Sequence, residues 1–595
     1  MTQKNCKMEK IQEINPAEQA SIECINRVYD TIDKNQSFRV EAGAGAGKTY
    51  TLVKALKHLI KKHEGEFIKN HKRIACITYT NVAKDEIRSR VDNHPIIVAD
   101  TIHAFAWEVI QAFQQPLRDR MGELDGKWKE RIKEAGGVNK QKVKYDLGYP
   151  KITADEIYLH HNDLIKLFAS LIRDEKFRRI FSSKYPVVLI DEYQDTNKGL
   201  ADAIVETFIQ TQQGSRIGLF GDHWQKIYGS EACGLIEADA DKLIAIGKEA
   251  NFRSDKNIVA VLNRMRPELP QQEYDPNSEG EVIVYHTNNW KGTRRPPGPG
   301  GHWGGDLPPQ EAHDFLQTTK GRLNNMGWEI SPDNTKILML TNNVLASEQG
   351  YQTISSNFSD NDDYLKLNDP YIDFLVSTVE VGAEAFRTFR YGAMLEAFGL
   401  RTAKIRTQAD KVAWQDSMAR LEDSRNNGTV GNLIDLLKVT HRPRLSPKLE
   451  EKEERFKEIS KLAVADREAD DIKFFDKTSR IRSIPYKEIP NLAAYINDKT
   501  LYSTKHGVKG AEFENVIVVL GRGWNHYNWS AFLEKINQGC VDEADRDTFE
   551  RNRNLFYVAC SRSRKRLCLL FTQELSSNAM QGLEKLFGNS SINSA

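Results

Sequence analysis

A glycine-rich segment that joins a predicted strand to a predicted helix is the feature that most constrains the fold of this chain. Residues 38–42 alternate apolar and polar side chains, and apolar residues return at helical spacing from Leu52 onward. The segment between them reads Ala42, Gly43, Ala44, Gly45, Ala46, Gly47, Lys48 and Thr49. Small residues let successive backbone N–H groups turn toward a phosphate at a helix N-terminus, where the helix dipole favours negative charge. The sequence therefore predicts a nucleotide phosphate loop, all eight residues of which contact the nucleotide.

The last two residues of this loop have predicted chemical roles. Lys48 is expected to reach the β- and γ-phosphates of ATP, and the Thr49 hydroxyl is expected to hold Mg²⁺. The loop departs from the usual GxxxxGK[ST] pattern only in having Ala42 at its first position. The alternative is a glycine-alanine turn that is followed by Lys and Thr by chance. The predicted strand before the turn and the predicted helix after it disfavour this alternative.

A pair of acidic residues follows the apolar stretch 187–190, which reads as a buried strand. Alone, such a pair is usually a solvated strand end. In a chain with a phosphate loop, Asp191 is predicted to hold Mg²⁺ through water, and Glu192 to orient and deprotonate the attacking water.

Composition excludes several other classes of protein. The 595 residues contain 84 Lys and Arg against 83 Asp and Glu, so any contact with a polyanion must be local. Hydrophobic residues make up 39% of the chain in runs too short to cross a bilayer. The seven cysteines include no CxxC pair, which favours reduced thiols over disulfides or zinc. With a polar, charged start and no secretion signal, we expect a cytoplasmic protein without membrane contact.

The strand-and-helix pattern recurs along the chain and predicts a second α/β unit in the C-terminal half. Further strands are predicted at residues 74–79, 217–220, 336–340, 516–520 and 567–571. Residues 110–184 read as a helical insertion, 292–309 as an exposed Gly/Pro loop, and 449–461 as a solvated helix with ion pairs.

The order of motifs resembles the superfamily 1 DNA helicases of the UvrD, Rep and PcrA type. Besides the phosphate loop and the acidic pair, the similar segments are 77–81 (motif Ia), 100–103 (motif Ib), 191–196 (motif II), 221–229 (motif III), 251–254 (motif IV), 504–513 (motif V) and 557–562 (motif VI). The resemblance implies an α/β P-loop NTPase with two RecA-like parallel-sheet lobes, each carrying a helical insertion. The implied boundaries are 1–105 with 185–250 for the first lobe, 106–184 for its insertion, 251–350 with 480–595 for the second lobe, and 351–479 for the second insertion.

The same resemblance implies roles for individual residues at the nucleotide. Gln19 looks like the glutamine that reads adenine, and Phe252 like the aromatic residue that stacks on the base. Gln225 would report the γ-phosphate. Arg253 and Arg562 would be arginine fingers of the second lobe, which stabilise charge on the transferred phosphoryl group. Glu512 is expected at the ribose or phosphate edge.

The implied DNA track uses aromatic and histidine side chains. Tyr79, His103, Tyr228 and His506 stand at motif positions that contact single-stranded DNA in the family. If each lobe grips the strand in turn, ATP-driven closure moves the protein, and the family implies 3′→5′ movement.

Four further features bear on this track or on a possible metal site. Where the family usually has Trp-Arg after motif III, this chain has Ser230 and Glu231, which puts strong unwinding in doubt. Trp224 either replaces the missing stacking platform or packs beneath the ATP site. The aromatic cluster over residues 524–529 suggests DNA stacking, a partner surface or burial. Residues 160–163, His-His-Asn-Asp, are expected to be helix surface or packing and not a metal site.

Two functions remain open at the level of sequence. The first is an ATP-dependent, Mg²⁺-requiring DNA helicase or translocase that acts on single-stranded or tailed duplex DNA, as repair helicases do. The second is a DNA-sensing ATPase subunit that regulates a partner nuclease in anti-phage defence, like the Gabija-type helicase subunits of this family. RNA as the track is a weaker third possibility, because the motif forms resemble those of DNA enzymes.

Overall fold

The computed structural model describes residues 15–146, 150–227, 231–298, 303–339, 342–400, 405–463, 466–504, 510–522 and 527–595. By contacts the chain divides into two compact units. The first comprises Met1–Val282, Glu534–Leu567 and Gln581–Ser590, and the second Ile283–Leu533, Cys568–Met580 and Ser591–Ala595. The lobe boundaries expected from the sequence stay a prediction.

Helices and strands alternate through most of the chain. The α-helices are α1 (Pro16–Asp33), α2 (Lys48–Lys69), α3 (Asn81–Arg90), α4 (Ile102–Ile110), α5 (Gln114–Asp119), α6 (Gly126–Glu134), α7 (His161–Arg173), α8 (Glu175–Lys184), α9 (Lys198–Ile204), α10 (Lys256–Met265), α11 (Pro309–Asn325), α12 (Asn342–Gln349), α13 (Gln352–Asn357), α14 (Asp362–Leu365), α15 (Pro370–Asp373), α16 (Val381–Arg387), α17 (Tyr391–Ala397), α18 (Gln408–Asn427), α19 (Val430–Thr440), α20 (Pro447–Lys461), α21 (Ala469–Ser483), α22 (Glu488–Ile496), α23 (Trp529–Gln538), α24 (Arg546–Cys560) and α25 (Ser577–Phe587). The strands are β1 (Ser37–Ala42), β2 (Ile74–Thr78), β3 (Ile97–Thr101), β4 (Lys142–Tyr145), β5 (Lys151–Ile152), β6 (Glu156–Leu159), β7 (Val187–Asp191), β8 (Arg216–Gly221), β9 (Leu243–Lys248), β10 (Ala250–Asn251), β11 (Gln272–Glu273), β12 (Glu281–His286), β13 (Thr335–Met339), β14 (Tyr502–Thr504), β15 (Phe513–Leu520), β16 (Ser563–Phe571) and β17 (Ile592–Ser594).

A six-stranded parallel sheet with the order β3-β2-β7-β8-β1-β9 organises the first unit. Its strands are apolar because helices cover both faces, as is usual for parallel sheets. Leu52, Leu56 and Phe220 belong to one buried cluster, and Phe105 and Leu219 to a second. This register places Asp191, at the end of β7, opposite Phe220 of β8. The carboxyl ends of β1, β7 and β8 therefore bring the phosphate loop, the acidic pair and motif III to one edge of the sheet.

The first insertion contains a small sheet that the sequence analysis did not foresee. Strands β4, β6 and β5 pair in that order beside helices α5 to α8. Val143, Ile157 and Leu159 are fully buried on these short strands. Strands of two to four residues offer too few alternating positions to stand out from a helix-rich surrounding. The prediction of an entirely helical insertion was wrong at these strands.

His160 is the N-cap of α7 and His161 is its first residue, so their contacts are those of a helix start. The backbone N–H of His160 donates to the Asp163 carboxylate at 3.1 Å, which forms part of a capping box. The ring of His161 is hydrogen-bonded to the Tyr145 hydroxyl.

A second six-stranded sheet, with the order β14-β13-β15-β16-β12-β17, lies at the C-terminal half of the chain. Strand β13 pairs in parallel with β14 and β15, and β12 pairs in parallel with β17. The predicted strands at 336–340, 516–520 and 567–571 correspond to β13, β15 and β16. Two such α/β sheets confirm the predicted fold class of two RecA-like lobes.

Helices α13 to α22 of the second unit contribute to an apolar core of their own. Arg425 is buried there and its Nε donates to Glu380 at 2.9 Å. The predicted helix at 449–461 is α20, but one of its acidic residues, Glu453, is buried instead of solvated and accepts a hydrogen bond from Arg482 at 2.7 Å. The helical periodicity was informative, whereas the burial of a carboxylate depends on partners distant in sequence.

Two further expectations concern loops and thiols. Between 292 and 309 the described residues form no strand and join a helix only at Pro309, as predicted, although Asp306 and Leu307 are buried. All six cysteines within the described part of the chain are free. None of the described helices combines the length and apolar character needed to cross a bilayer.

Candidate nucleotide site

The phosphate loop connects β1 to α2 as the sequence predicts, since β1 ends at Ala42 and α2 begins at Lys48. Gly45 and Gly47 have φ values of 75° and 73°, a left-handed conformation that glycine adopts without steric cost. A β-carbon on Gly45 would also lie 2.7 Å from Asn251 Oδ1. Backbone geometry therefore favours glycine at both positions, and lack of space requires it at Gly45 as well.

The acidic pair lies at the end of β7. Asp191 is buried, and the Glu192 backbone has φ 48° and ψ 46°, a left-handed conformation that is uncommon for a residue with a side chain. Glu192 Oε1 lies 3.8 Å from Lys48 Nζ, and Glu192 Oε2 accepts a hydrogen bond from Gln194 Nε2 at 2.6 Å. Strained backbone of this kind is concentrated at functional sites.

The electrostatics around Asp191 disfavour its charged form. Burial, followed by the neighbouring Glu192 charge, raises the pKa of Asp191, although the Lys48 ammonium opposes the shift. A cation beside this carboxylate would reverse the shift. The carboxylate of Asp191 and the hydroxyl of Thr49 offer oxygen atoms, the ligand type that Mg²⁺ prefers.

Gln225 joins motif III to an arginine of motif VI. Its Nε2 donates to Asp222 Oδ2 at 2.7 Å, and its Oε1 accepts from Arg562 Nη2 at 3.4 Å. Gln225 is only 3% exposed and Arg562 only 1%. The amide of Gln225 is therefore held between two charged side chains.

The two predicted arginine fingers lie beside each other in the first unit. Arg253 Nη1 donates to the Ser561 carbonyl oxygen at 2.9 Å. Burial, and then the positive charge of Arg253, lower the pKa of Arg562. The Glu192 carboxylate is one of the negative groups that partly oppose this lowering of the Arg562 pKa. The first unit thus contains all six predicted catalytic residues, Lys48, Asp191, Glu192, Gln225, Arg253 and Arg562.

Three residues that were not assigned a role from the sequence bind the backbone of the phosphate loop. The Ala44 N–H donates to the Tyr557 hydroxyl at 3.1 Å, and the Ala44 carbonyl accepts from Asn251 Nδ2 at 3.3 Å and Gln271 Nε2 at 3.1 Å. Asn251 and Tyr557 belong to motifs IV and VI, so the motif spans contained a signal for them. Gln271 lies outside every motif, and only the tertiary structure identifies it.

A buried lysine beside the loop was also missed. Lys248, the last residue of β9, donates to Thr51 Oγ1 at 2.7 Å and to the Gly47 carbonyl oxygen at 3.1 Å. Burial lowers its pKa to about 8. A lysine at a strand end is usually solvent-exposed, so its sequence position alone gave no signal.

The predicted base-binding residues have different surroundings. Phe252 is 39% exposed, with its ring 5.8 Å from that of Tyr274. Gln19 is exposed on α1, where its Nε2 donates to Glu23 Oε1 at 2.8 Å. Glu512 lies exposed in the second unit, directly before β15. The structure groups Phe252 with the phosphate loop, since the Phe252 N–H donates to the Gly45 carbonyl oxygen at 2.9 Å.

Two of the four predicted DNA contacts can be described. The Tyr79 hydroxyl donates to Thr196 Oγ1 at 2.7 Å, and burial raises its pKa. The His103 ring lies 4.5 Å from the His161 ring, and burial followed by the charge of His161 lowers the pKa of His103 to about 4. Tyr228 and His506 lie outside the described residues.

The aromatic residues whose role the sequence left open are buried where they can be described. Trp224 is 6% exposed, and the guanidinium groups of Arg266 and Arg553 lie 5.3 and 4.1 Å from its ring. Its position agrees with packing near the ATP site and not with a base platform. Of the cluster at 524–529, Tyr527 and Trp529 are buried, and Trp524 is outside the described residues. Ser230 is also outside them, whereas Glu231 is exposed.

Comparison with known families identifies two regions of the chain. Residues 26–231 match the AAA domain family, and residues 331–574 match the UvrD-like helicase C-terminal domain. The first match contains the phosphate loop and motifs Ia to III, and the second contains motifs V and VI.

Individual relatives differ in how much of the chain they cover. Gabija protein GajB of Bacillus cereus (strain HuB5-5) is 24% identical over 95% of this chain and 97% of its own length. ATP-dependent DNA helicase Rep of Buchnera aphidicola subsp. Baizongia pistaciae is 27% identical over 38% of this chain, and PcrA of Leuconostoc citreum is 24% identical over 42%. Each of these two matches spans 40% of the relative.

Proposed function

The chain is an ATP-hydrolysing, UvrD-like helicase, and from this premise we propose that it moves 3′→5′ along single-stranded DNA through ATP-driven closure of its two lobes. Lobe closure and the 3′→5′ direction rest on the resemblance to the UvrD-type helicases, and the observation that supports ATP-driven action is the hydrogen bond between Gln225 and Arg562. It joins the γ-phosphate reporter to an arginine finger beside the phosphate loop. The proposed place of action is the cytoplasm.

Hydrolysis requires a change of partner for Lys48. Its ammonium group is paired with Glu192 at 3.8 Å, and the phosphates of ATP would draw it toward the loop backbone. Release of Lys48 leaves Glu192 able to accept a proton from the attacking water. Arg253 and Arg562 then donate to the charge that develops on the transferred phosphoryl group.

Mg²⁺ fits the oxygen donors at this site, and we assign Thr49 and Asp191 to hold it. When bound, it would neutralise charge on the β- and γ-phosphates. Lys48, Gln225 and the arginines remain the groups by which this chain positions ATP. Gln19 and Phe252 are proposed at the base, and Glu512 at the ribose or phosphate edge.

Movement requires that hydrolysis alters the grip on DNA. When the γ-phosphate leaves, the charge that the two arginines neutralise disappears, so the closed arrangement loses stability. We propose Tyr79, His103, Tyr228 and His506 as DNA contacts. Tyr79 is anchored by Thr196, which holds its position relative to the end of β2.

A second function is favoured by the extent of similarity to GajB. That relative matches along almost the whole chain, whereas Rep and PcrA match over less than half of it. The exposed Glu231, at the position of the usual arginine, also argues against a strong unwinding platform. In this alternative the ATPase senses DNA and regulates a partner nuclease in anti-phage defence.

Strand displacement on matched substrates separates the two functions. The test compares duplexes with a 3′ tail, a 5′ tail or no tail, with Lys48→Ala as the inactive control. ATP-dependent displacement of the 3′-tailed duplex alone supports the motor. DNA-stimulated hydrolysis without displacement supports the sensing subunit, and preference for the 5′ tail refutes the proposed direction.

A further inference from the structure

A buried arginine outside every motif connects the parts of the nucleotide site. Arg266 follows α10 and is 2% exposed. Its Nη1 lies 2.6 Å from Asp222 Oδ1, and its Nη2 lies 3.0 Å from Glu41 Oε1. The two carboxylates come from different strands, since Glu41 is the penultimate residue of β1 and Asp222 follows β8. One guanidinium therefore joins the strand before the phosphate loop to motif III.

Glu41 is held in place by further donors. His223 Nδ1 lies 2.7 Å from Glu41 Oε1, and the Tyr193 hydroxyl donates to Glu41 Oε2 at 2.6 Å. Burial favours the protonated carboxyl, but the His223 hydrogen bond and the Arg266 charge outweigh it and hold the pKa of Glu41 below its ordinary value. The Glu41 carboxylate therefore ties Arg266 to the turn that follows the catalytic acidic pair.

Asp222 connects Arg266 to Gln225. One carboxylate oxygen, Oδ1, receives Arg266, while the other, Oδ2, accepts from Gln225 Nε2 at 2.7 Å. Gln225 Oε1 in turn accepts from Arg562. The four side chains form a continuous hydrogen-bonded series from Arg266 to the predicted arginine finger.

The Arg266 guanidinium also contacts two aromatic rings. Its central carbon lies 5.3 Å from the Trp224 ring and 6.0 Å from the Tyr557 ring. Tyr557 is the residue whose hydroxyl accepts from the phosphate-loop backbone at Ala44. A lysine ammonium would supply the charge but neither the two-pronged geometry nor the flat stacking surface.

We propose that Arg266 is a positioning residue for ATP hydrolysis, which holds Asp222 so that Gln225 presents its amide oxygen to Arg562. The proposal rests on the roles proposed for Gln225 and Arg562 at the γ-phosphate, and not on the direction of movement. A buried ion-pair cluster is a weak device for stability alone, because desolvation opposes the Coulombic gain. The orientation of Gln225 is a specific role that the cluster of Arg266, Glu41 and Asp222 can fulfil.

The test compares Arg266→Lys with Arg425→Lys as a matched control. Arg425 is also buried and paired with a carboxylate, Glu380, but it lies in the helical insertion of the second unit. For Arg266→Lys we expect kcat to fall about 100-fold, the effect of misplacing a group by roughly 1 Å. The KM for ATP and the Kd for ADP should change less than about threefold. Arg425→Lys should lower Tm and leave kcat unchanged.

A double-mutant cycle with Gln225→Ala distinguishes positioning from general damage. If Arg266 acts through Gln225, adding Arg266→Lys to Gln225→Ala causes little further loss of kcat. Multiplicative losses, or an Arg266→Lys enzyme with kcat within threefold of wild type, would overturn the proposal.

Two further measurements keep this result interpretable. If Arg266→Lys fails to fold, as judged by its Tm, Asp222→Asn interrupts the same series and should reproduce the kcat loss with ADP binding retained; normal kcat in that variant overturns the proposal. A wild-type protein that binds ADP but does not hydrolyse ATP would overturn the hydrolytic function and this inference together. If the wild-type protein hydrolyses ATP and only the variants lose kcat, the result concerns the role of Arg266 and not the hydrolytic function.

Discussion

Lys48 Nζ lies 3.8 Å from Glu192 Oε1, so the lysine predicted to bind phosphate is paired with the carboxylate predicted to activate water. The pair joins the first residue of α2 to the turn after β7. The two side chains remain paired until a phosphate competes for the lysine. The contact that neutralises Lys48 therefore also engages the carboxylate that is predicted to act as the base.

Replacing Lys48 by alanine should abolish ATP turnover, because the predicted contact with the β- and γ-phosphates is removed. The fold should stay intact, because the ammonium group is half of a partly exposed ion pair and other residues hold the loop backbone. Steady-state ATPase activity and Tm measure the two effects. Lys57→Ala, an exposed lysine on the same helix, is the control and should retain activity. Near-normal ATPase activity in Lys48→Ala would reject the assigned phosphate site.

Glu192→Gln should separate binding from hydrolysis. The amide keeps the size of the side chain but cannot accept the proton from water, so kcat should fall by about 10² to 10⁴. Affinity for ATP, measured by equilibrium binding, should persist because no phosphate contact is removed. A variant that hydrolyses ATP at more than a tenth of the wild-type rate would show that another group is the base.

Arg562→Ala should reduce hydrolysis on the order of 10³-fold, as loss of an arginine finger does. Nucleotide affinity should change much less, because the finger acts on the charge that develops during transfer. Single-turnover kinetics measure this step. Arg564→Ala removes an exposed arginine two residues away and serves as the control. Equal losses in both variants would contradict the assignment.

The raised pKa of Asp191 predicts that stability without nucleotide depends on pH. A carboxyl group with a pKa raised by folding stabilises the folded protein at low pH, and that contribution is lost as pH rises through the folded pKa of about 7. Asp191→Asn cannot ionise, so its Tm should exceed that of wild type by several degrees at pH 8 and by much less at pH 5. The same variant should lose ATPase activity.

Thermal unfolding of nucleotide-free protein across this pH range, without added divalent metal, tests the effect. Asp241→Asn replaces an exposed carboxylate and should show no gain that grows with pH. A wild-type Tm equal to that of Asp191→Asn at pH 8 would mean that burial does not strain the charged form.

The nucleotide residues could be assigned from the sequence because their chemistry depends on short spacings within one turn or one strand end, and their individual roles stay predictions. Lys48 and Glu192 each follow a local pattern, and the sheet brings the patterns together at the carboxyl ends of its strands. The parallel fold followed from the same reasoning, since apolar strands alternate with helical segments. The DNA contacts and the direction of movement remain predictions.

What the sequence did not predict depends on contacts between distant residues. Arg266 and Gln271 lie in no motif, and only the folded chain brings them to Asp222 and to the phosphate loop. The burial of Trp224 could not be decided, because its neighbours Arg266 and Arg553 are 42 and 329 positions away along the chain. Spacing identifies groups that react, whereas the residues that orient them have to be found by geometry.

The left-handed backbone at Glu192 creates a conflict between folding and chemistry. Such a conformation costs a residue with a β-carbon of the order of 1 kcal/mol, and glycine would adopt it freely. Selection for stability alone would favour glycine at this position, whereas the predicted role in activating water requires a carboxylate. The predicted role of Glu192 in activating water would therefore be maintained against a strained backbone conformation.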